Sequence, residues 1–209
     1  AEGLEENAVW AQISTVGLTG TDRLAELSQR LGLRFLDSPV SGTKAPAEQG
    51  KLVVLASGDP SARDDAQPFL DAIGAKTVWL GEEPGAASRM KMVLNTWVVA
   101  LTTATAETLA LAEALGIEGS QVLETLEGGP LDSAYLQMKG KMMLERDYPT
   151  SFPLAHAGKD ARLVLEAARG EGLELAGTQA TADQFAQAHE AGHGEADMAA
   201  VYEAVTKRG

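Results

Sequence analysis

The feature that most constrains the fold is a change of hydrophobic pattern near residue 81. Before it, short β-type runs alternate with segments of helical spacing; after it, strand signals stop and helical segments follow one another. Alternation of strand and helix predicts an α/β sheet that is doubly wound at least in part, whereas consecutive helical segments predict an all-α domain. The segment 82–85 (EEPG) lies at the change, so we predict a domain boundary between 1–84 and 85–209.

The individual elements can be placed from composition and from start and stop signals. β-branched and aromatic residues predict strands, and apolar residues at helical spacing that end at glycine predict helices. The predicted strands are 9–14, 34–37, 52–57 and 76–80. The predicted helices are 19–31, 61–73, 85–115, 119–127, about 132–146 and 157–171, with one or two more from residue 178 onward. The longest of these would span roughly 46 Å, which is enough to link two domains and to pack against a partner subunit. The alternative is the central helix of a monomeric bundle.

Composition limits the classes of partner. The net charge of −13 argues against a nucleic-acid partner, because such proteins need a basic surface. No apolar run is long enough to span a membrane and no basic-then-apolar leader is visible, so we expect a soluble, cytoplasmic protein without a membrane partner. The absence of cysteine excludes disulfides and thiolate metal sites. The chain begins at Ala1, and we expect it to be a piece of something longer.

Two polar residues four positions apart stand near the start of the longest predicted helix. Residues i and i+4 share a helix face, so the ammonium of Lys91 and the carboxamide of Asn95 would point together from an apolar segment. A cation among apolar neighbours is unfavourable unless it is paired or used, which makes this pair a candidate catalytic site. The alternative is a lysine and an asparagine that face water in the first turns of a helix.

Three further segments carry polar groups that could bind a ligand. Ser14-Thr15 end a strand, where ligands bind in open α/β sheets, or they cap the following helix. The loop 37–43 (DSPVSGT) offers hydroxyls and backbone N–H groups to a carboxylate, or it is only a Pro/Ser/Gly turn. Lys159-Asp160, early in a later helix, would in isolation be a solvated pair.

One histidine motif matches the zinc-protease pattern H-E-x-x-H. His189, Glu190 and His193 fit that pattern letter for letter. A zinc site of this kind needs both histidines on one helix face and a third ligand. Gly192 and Gly194 weaken the helix, and no third ligand stands out in the residues that follow, so we expect no metal site.

The α/β half lacks the fingerprint of a dinucleotide-binding domain. That fingerprint is a first strand that runs into G-x-G-x-x-G, with an acidic residue roughly twenty positions further on. The nearest glycine clusters, Gly17 with Gly20 and Gly128-Gly129, do not lie between a strand and a helix with this spacing. Either the fold binds no nucleotide, or the nucleotide-binding half lies upstream of Ala1.

Taken in order, these motifs resemble the β-hydroxyacid dehydrogenase family, the group that contains the 3-hydroxyisobutyrate dehydrogenases. The resemblance runs through all 209 residues. The segment PVSGTKAPAEQGKLVVLASGD is most similar to the glyoxylate/succinic semialdehyde reductase branch. Its four anchors are Ser14-Thr15, 37–42 with 47–52, the G-x-G-x-x-x-K-x-x-N-N pattern at 85–95, and Phe152 with Lys159-Asp160. The resemblance implies the C-terminal part of a Rossmann-type α/β domain, followed by an all-α domain entered through a long interdomain helix.

The resemblance also implies a reaction. It is the NAD(P)-dependent interconversion of a small hydroxy acid and its keto or aldehyde acid, of the glyoxylate, succinic semialdehyde or 3-hydroxyisobutyrate type. Lys91 would be the general acid/base, and Asn95 would hold the substrate oxygen or orient Lys91. The residues implied to bind the substrate carboxylate are Ser41, Gly42 and Thr43. The residues implied to bind the cofactor are Thr15, Phe152, Lys159 and Asp160.

Cofactor and assembly follow from the same resemblance. The cofactor would be NADP or NAD, with NADP the favoured of the two, and subunits would form a homodimer or homotetramer through the α-helical domain. Because the glycine fingerprint is absent, the chain resembles the second half of the family with the tail of its cofactor domain. We therefore expect these residues alone to bind dinucleotide poorly and to be inactive.

The sequence departs from the family pattern at three positions, and alternatives remain. Ala87 stands in place of a glycine, Leu94 in place of an asparagine, and Thr43 in place of a glycine common in the hydroxyisobutyrate branch. One alternative is a non-catalytic helical dimerisation module on the same scaffold. Another is an imine-reductase-like enzyme, in which we expect no lysine at position 91.

Overall fold

The computed structural model describes Glu5 and residues 7–206. Two compact units divide the chain, the first ending at Leu94 and the second beginning at Asn95. The division lies inside the longest helix. The boundary between residues 84 and 85, at the start of that helix, stays a prediction.

The described part of the first unit is an α/β layer with the predicted alternation. Its strands are β1 (Val9–Gln12), β2 (Arg34–Asp37), β3 (Val40–Ser41), β4 (Leu52–Gly58) and β5 (Gly74–Gly81). Its helices are α1 (Gly17–Arg30), α2 (Lys44–Glu48), α3 (Arg63–Ile73) and the first turns of α4 (Ala86–Ala114). The four predicted strands and the predicted helices are confirmed to within a few residues. The short elements β3 and α2 were not predicted, because two or five residues are too few to show a period.

The sheet is built from two strand–helix–strand motifs. The two strands within each motif are parallel, and the two motifs run in opposite directions. β1 pairs parallel with β2 across α1, and β4 pairs parallel with β5 across α3. Between the two motifs the chain reverses, so β2 and β3 both pair antiparallel with β4. Each of the two strand–helix–strand motifs has parallel pairing, while the sheet as a whole is mixed.

The antiparallel contact between β2 and β4 joins their carboxyl ends. Leu36 is opposite Gly58 and Asp37 is opposite Ser57. Directly paired residues of an antiparallel ladder project their side chains from the same face of the sheet. Asp37 and Ser57 are therefore brought together, and a small apolar core lies beneath them. The core residues are Leu36, Val54, Ala62, Ala66 and Leu70.

The described part of the second unit is entirely helical apart from one isolated bridge between Pro153 and Asp197. Besides the rest of α4 it contains α5 (Gly119–Leu126), α6 (Ala134–Glu145), α7 (Leu154–Gly170), α8 (Ala176–Ala188) and α9 (Tyr202–Val205). The predicted helices are confirmed, but α7 begins at Leu154 rather than at 157. Pro153 is its N-cap residue, a position where the missing N–H of proline removes no helical hydrogen bond.

The core of this unit packs α4 against α7 and α8. Leu109 of α4, Leu154 of α7 and Phe185 of α8 are each at most 1% exposed. Alanine and threonine along the same helices allow close approach, which agrees with the low aromatic content of the chain. In the described part of the chain, no helix has both the length and the apolar character needed to cross a membrane.

Candidate active site

The amino terminus of α4 is held by side chains from two strands. Oδ2 of Asp37 accepts hydrogen bonds from the backbone N–H groups of Gly85 (3.0 Å) and Ser88 (2.8 Å), and Oδ1 accepts from the Ser88 hydroxyl (2.7 Å). Oγ of Ser57 accepts from the backbone N–H of Ala87 at 3.0 Å. The first N–H groups of a helix have no partner within the helix, so Asp37 and Ser57 together cap α4 from the sheet.

The carboxylate that caps α4 is almost completely buried. Asp37 is 1% exposed, and its direct hydrogen-bond donors are neutral. Burial raises the pKa of the Asp37 carboxyl above its usual value, although the hydrogen bonds from Ser88 and Gly85 and the charge of Arg89 act in the opposite direction. From the sequence, Asp37 was expected only to begin a polar loop and to belong to one anchor of the resemblance; its contact with α4 was not predicted.

Lys91 and Asn95 both lie on α4, one turn apart. Lys91 is half-buried in the first unit, and Asn95, the first residue of the second unit, is 5% exposed. The alternative in which both side chains face water is therefore wrong for Asn95. The helical spacing on which the candidate pair was based is confirmed, while its catalytic role stays a prediction.

In the second unit, Asn95 is tied to Asp160. Asn95 Nδ2 donates a hydrogen bond to Asp160 Oδ2 at 3.0 Å, across a sequence separation of 65 residues. A carboxylate can only accept, so this contact fixes the amide with its nitrogen toward Asp160. The carbonyl oxygen Oδ1 of Asn95 is thereby left as the atom that can accept a hydrogen bond elsewhere.

Lys159 pairs with the other oxygen of the same carboxylate. Its Nζ lies 3.0 Å from Asp160 Oδ1, and the Lys159 side chain is 43% exposed against 6% for Asp160. The alternative of a solvated pair is therefore wrong for Asp160. Oδ1 of Asp160 is buried and receives no hydrogen bond of good geometry among the described residues. It keeps acceptor capacity next to a partly exposed cation.

The three residues predicted to bind a carboxylate span the end of β3 and the start of α2. Ser41 pairs with Val53 of β4, so its position is fixed by the sheet, and Thr43 is the N-cap residue of α2. Gly42 between them has φ +131°, and a Cβ there would lie 2.7 Å from Leu52 Cδ2. The positive φ disfavours any residue with a side chain, so the bend between the two hydroxyl-bearing residues favours glycine at this position.

Thr15 and Phe152 lie next to the ends of secondary-structure elements. Thr15 follows β1 and precedes α1, whose N-cap residue is Val16 without a side-chain cap. Phe152 directly precedes the N-cap of α7, contacts the ring of His156 with centroids 6.0 Å apart, and packs against the core of the second unit. No contact described here assigns either residue to a ligand.

A second buried carboxylate fixes the backbone of Phe152. Asp197 Oδ2 accepts from the backbone N–H of Phe152 (3.2 Å) and from both the N–H (3.0 Å) and the hydroxyl (2.6 Å) of Ser151. Asp197 Oδ1 pairs with Lys139 Nζ at 2.5 Å, and both side chains are fully buried. Burial acts to raise the pKa of Asp197, but the hydrogen bonds from Lys139 and Ser151 outweigh it and lower that pKa.

The histidine motif does not form a zincin helix. His189–His193 form a π-helical turn in which Gly192 has φ +98°, and a Cβ on Gly194 would lie 2.4 Å from His189 Nδ1. Among the described residues there is no group of three His, Cys, Asp or Glu side chains that could hold a metal ion.

The residues present include possible contacts for a dinucleotide, but not the glycine-rich turn that would hold its pyrophosphate. The buried acceptor Asp160 Oδ1 and the cation of Lys159 would suit hydrogen-bond donors and negative charge on a cofactor. The G-x-G-x-x-G turn that would hold a pyrophosphate does not occur in the 209 residues.

Within each unit the structure brings some of the predicted residues together. In the first unit, Asp37 connects the start of the 37–43 loop to the helix that carries Lys91. In the second, Asn95, Lys159 and Asp160 form one cluster. The links from Asp37 and Asp160 to α4 were missed, because hydrogen bonds across 48 to 65 residues leave no local sequence signal.

Two family models match adjacent parts of the chain. Residues 1–81 match the NAD-binding domain of 6-phosphogluconate dehydrogenase, and residues 85–205 match the NAD-binding model of NADP-dependent 3-hydroxyisobutyrate dehydrogenase. Both descriptions name a nicotinamide cofactor, which supports the predicted NAD(P) class.

Individual relatives agree with these models. The chain is 32% identical over 204 residues to glyoxylate/succinic semialdehyde reductase 1 of Arabidopsis thaliana, across 98% of this chain and 70% of that protein. It is 32% identical over 203 residues to the chloroplastic reductase 2 of the same plant, across 97% of this chain and 56% of that protein. The chain thus spans only part of the length of both.

A solved structure has the same fold. The 3-hydroxyisobutyrate dehydrogenase from Salmonella typhimurium superposes with a TM-score of 0.88 at 26% identity, over 96% of this chain and 70% of that one. The ordered motifs, the mixed sheet and helical unit, the family models and these relatives agree. The chain belongs to the β-hydroxyacid dehydrogenase family, whose matched members include NAD(P)-dependent hydroxyacid dehydrogenases and reductases.

Proposed function

We propose that the chain contributes the substrate and proton-transfer residues of an NAD(P)-dependent enzyme that interconverts a small hydroxy acid and its keto or aldehyde acid. The substrate would be of the glyoxylate, succinic semialdehyde or 3-hydroxyisobutyrate type. The observation that carries this proposal is the half-buried Lys91 one helical turn before an asparagine whose amide is fixed by Asp160. A cytoplasmic location is part of the same proposal.

The bound nicotinamide supplies the hydride that forms the new C–H bond at the carbonyl carbon of the substrate. As that bond forms, negative charge develops on the carbonyl oxygen, and Lys91 donates a proton to it. In the oxidative direction the same amine accepts the hydroxyl proton.

Asn95 would support the proton transfer through its carbonyl oxygen. Because Asp160 holds Nδ2, Oδ1 can accept a hydrogen bond from the Lys91 ammonium or from the substrate hydroxyl. Asp160 Oδ2 then positions Asn95, while its Oδ1 is a proposed acceptor for the cofactor, as the resemblance implies. Lys159, Thr15 and Phe152 remain the proposed cofactor-binding residues.

The 41–43 segment would bind the substrate carboxylate. The Ser41 and Thr43 hydroxyls and the backbone N–H groups that the Gly42 bend exposes are neutral donors of the kind that hold a carboxylate. Thr43 does not use its hydroxyl to cap α2, so that donor is compatible with a ligand. Held at its carboxylate, the substrate would present its carbonyl in a fixed orientation.

Steady-state kinetics of the complete protein test this proposal. We expect NADPH- or NADH-dependent reduction of glyoxylate or succinic semialdehyde, or oxidation of 3-hydroxyisobutyrate, and a fall in kcat of about a hundred- to ten-thousandfold in Lys91→Ala. Lys51→Ala, an exposed lysine of the same unit, is the matched control and should retain normal rates. Absence of turnover with all three acids would contradict the proposed substrate class.

Assembly through the helical unit is a separate part of the proposal. Trp97, Leu111 and Leu115 of this unit are each at least 60% exposed, and α4 carries exposed alanines between them at positions 100 and 104. Spacings of three or four and seven residues form one stripe on a helix, which suits a second copy of the same helix. Light scattering should give a dimer or tetramer mass, and Trp97→Glu with Leu111→Glu should lower it; an unchanged monomer mass in both would contradict this assembly.

A further inference from the structure

One buried carboxylate connects two parts of the proposed site in the first unit. Asp37 is the last residue of β2 and the first residue of the loop that leads to Ser41. Its side chain reaches in the other direction, to the amino-terminal turn of α4. Together with the bond from Ala87 to Ser57, this side chain of 1% exposure fixes the position of the helix relative to the loop.

The contacts to α4 are those of a helix cap, but the capping side chains belong to residues that are distant in sequence. Gly85 is the residue before the helix; its own O accepts the first helical hydrogen bond, from the N–H of Arg89 at 2.9 Å. With no side chain and φ +96°, Gly85 cannot supply the cap that serine or aspartate usually provides at this position. Asp37 instead accepts from the N–H groups of Gly85 and Ser88, and Ser57 accepts from Ala87.

The other side of the connection is equally fixed. Ser38 N–H donates to the Gln12 carbonyl at 2.8 Å, and Leu55 N–H donates to the Pro39 carbonyl at 2.9 Å, so the loop is bonded to the sheet on both sides directly after Asp37. Val40 and Ser41 then pair with β4. A displacement of Asp37 would move the start of a loop that has little freedom of its own.

From this geometry we propose that Asp37 is a positioning residue that sets the first turns of α4, and with them Lys91, relative to the 41–43 loop. Lys91 lies three residues after Ser88, within one turn of the cap. Loss of the cap frays the first turn of a helix, where hydrogen bonds are weakest. The role of Asp37 in turnover rests on the proposed function, whereas its role in holding the helix does not.

The replacements at Asp37 separate charge from capping. The carboxamide introduced by Asp37→Asn keeps an oxygen for the two backbone N–H groups, and its amide nitrogen can donate to the Ser88 hydroxyl. We expect this variant to keep kcat within about tenfold of the parent protein. Asp37→Ala removes every acceptor, and we expect kcat to fall at least about a hundredfold, by analogy with small displacements of catalytic groups.

Hydrogen–deuterium exchange of the complete protein provides a readout that does not need activity. In Asp37→Ala the backbone amides of residues 85–91 should exchange at least about tenfold faster than in the parent protein, and in Asp37→Asn they should remain protected. Leu70→Ala is the matched control: Leu70 is fully buried in the core of the same unit, in a cluster whose described members include no residue of α4. It should lower overall stability without selective exchange in that turn. Asp37→Leu, which also has no side-chain acceptor and is closer in size to aspartate, serves in place of Asp37→Ala if the latter does not fold.

The outcomes distinguish this inference from the proposed function. Fast exchange at 85–91 with a loss of kcat at equal folded fraction, both absent in Leu70→Ala, supports the positioning role. Unchanged exchange in Asp37→Ala, or equal losses of kcat in Asp37→Ala and Leu70→Ala, overturns it while Lys91→Ala still tests catalysis. Full activity of Lys91→Ala overturns the proposed function. It also overturns the role of Asp37 in turnover, even if residues 85–91 exchange faster in Asp37→Ala.

Discussion

Each of the two units contains a buried aspartate that holds the start of a helical segment, and the two differ in the charge of their partners. Asp37 in the first unit is bonded to two backbone N–H groups and a hydroxyl. Asp197 in the second unit is bonded to similar neutral donors and also to the ammonium of Lys139. The exposed fraction is 1% for Asp37 and 0% for Asp197, so burial alone does not separate them.

The pKa values of the two carboxyls move in opposite directions. Burial is the largest influence on both, and it raises the pKa of Asp37 because neutral donors do not compensate for lost hydration. At Asp197 the hydrogen bonds and the charge of Lys139 outweigh burial, so the pKa is lowered. The comparison teaches that a set of neutral hydrogen bonds holds a buried carboxylate in place, whereas a paired cation is needed to keep it readily ionised.

The largest effect is expected when the cation is removed. Lys139→Met leaves Asp197 with neutral hydrogen-bond donors only, like Asp37. Unlike the Asp37 site, however, the Asp197 site has a cation in the parent protein. We expect the free energy of unfolding to fall by about 3–5 kcal/mol, because an uncompensated charge remains in the core. Urea denaturation would measure the loss.

The matched control for that substitution lies two residues away. Lys141 is on the same helix, is 71% exposed, and pairs with Glu145 at 3.8 Å. Lys141→Met should change the free energy of unfolding by no more than about 0.5 kcal/mol, since exposed pairs contribute little. Equal losses in the two methionine variants would contradict the contrast between a buried and an exposed cation.

A smaller effect is expected from the backbone that Asp37 caps. Gly85 has φ +96°, a conformation that residues with a side chain rarely adopt. Gly85→Ala should lower the free energy of unfolding by about 1–2 kcal/mol and loosen the cap of α4. Gly172→Ala, at φ +70° in the second unit with open space around it, should be similarly destabilising but leave the exchange of residues 85–91 unchanged. Exchange that rises equally in both variants would show that the effect is not local.

The smallest effect concerns pH. The folded-state pKa of Asp197 is lowered, so its contribution to stability is present above the unfolded pKa of about 3.9 and is lost as the pH falls through the folded value. The folded-state pKa of Asp37 is raised, so its contribution declines as the pH rises through the folded value. The contributions of the two aspartates to stability change with pH in opposite directions. The two can therefore be distinguished without substitution of their hydrogen-bond partners.

Denaturant titrations between about pH 3 and pH 7 would measure this contrast. The penalty of Asp197→Asn relative to the parent protein should shrink as the pH falls below about 4. The penalty of Asp37→Asn should shrink as the pH rises above that value. Penalties that change in the same direction would overturn the assignment of opposite pKa shifts.

Most of the fold could be predicted because its elements have local signals. The strands at 34–37 and 52–57 and the long helix from Gly85 were visible from composition, glycine and proline alone. The reversal between β2 and β4 was not, since strand direction depends on which edges pair and not on the residues of either strand. The two short elements β3 and α2 were hidden for the same reason, because their structure depends on pairing with β4 and on the bend at Gly42.

The candidate site was predictable only where its residues are close in sequence. Lys91 and Asn95 are related by one helical turn, and Ser41 to Thr43 are adjacent. The residue that holds the start of their helix is distant in sequence, since Asp37 contacts Ser88 across 51 positions. Asp197, which fixes the backbone of Phe152, likewise contacts Lys139 across 58 positions. Asp160 was identified, but its bond to Asn95 was not, because the separation of α4 and α7 in sequence gives no sign of their contact.

The central claim is that the amine of Lys91 transfers the proton during reduction. Single-turnover reduction of glyoxylate or succinic semialdehyde by the complete protein with bound NADPH tests it most directly. In Lys91→Ala we predict a fall in the rate of about a hundred- to ten-thousandfold, partly restored by added small alkylamines in proportion to their concentration. A Lys91→Ala protein that folds normally and reduces the acid at the parent rate, with no response to amines, would contradict the account.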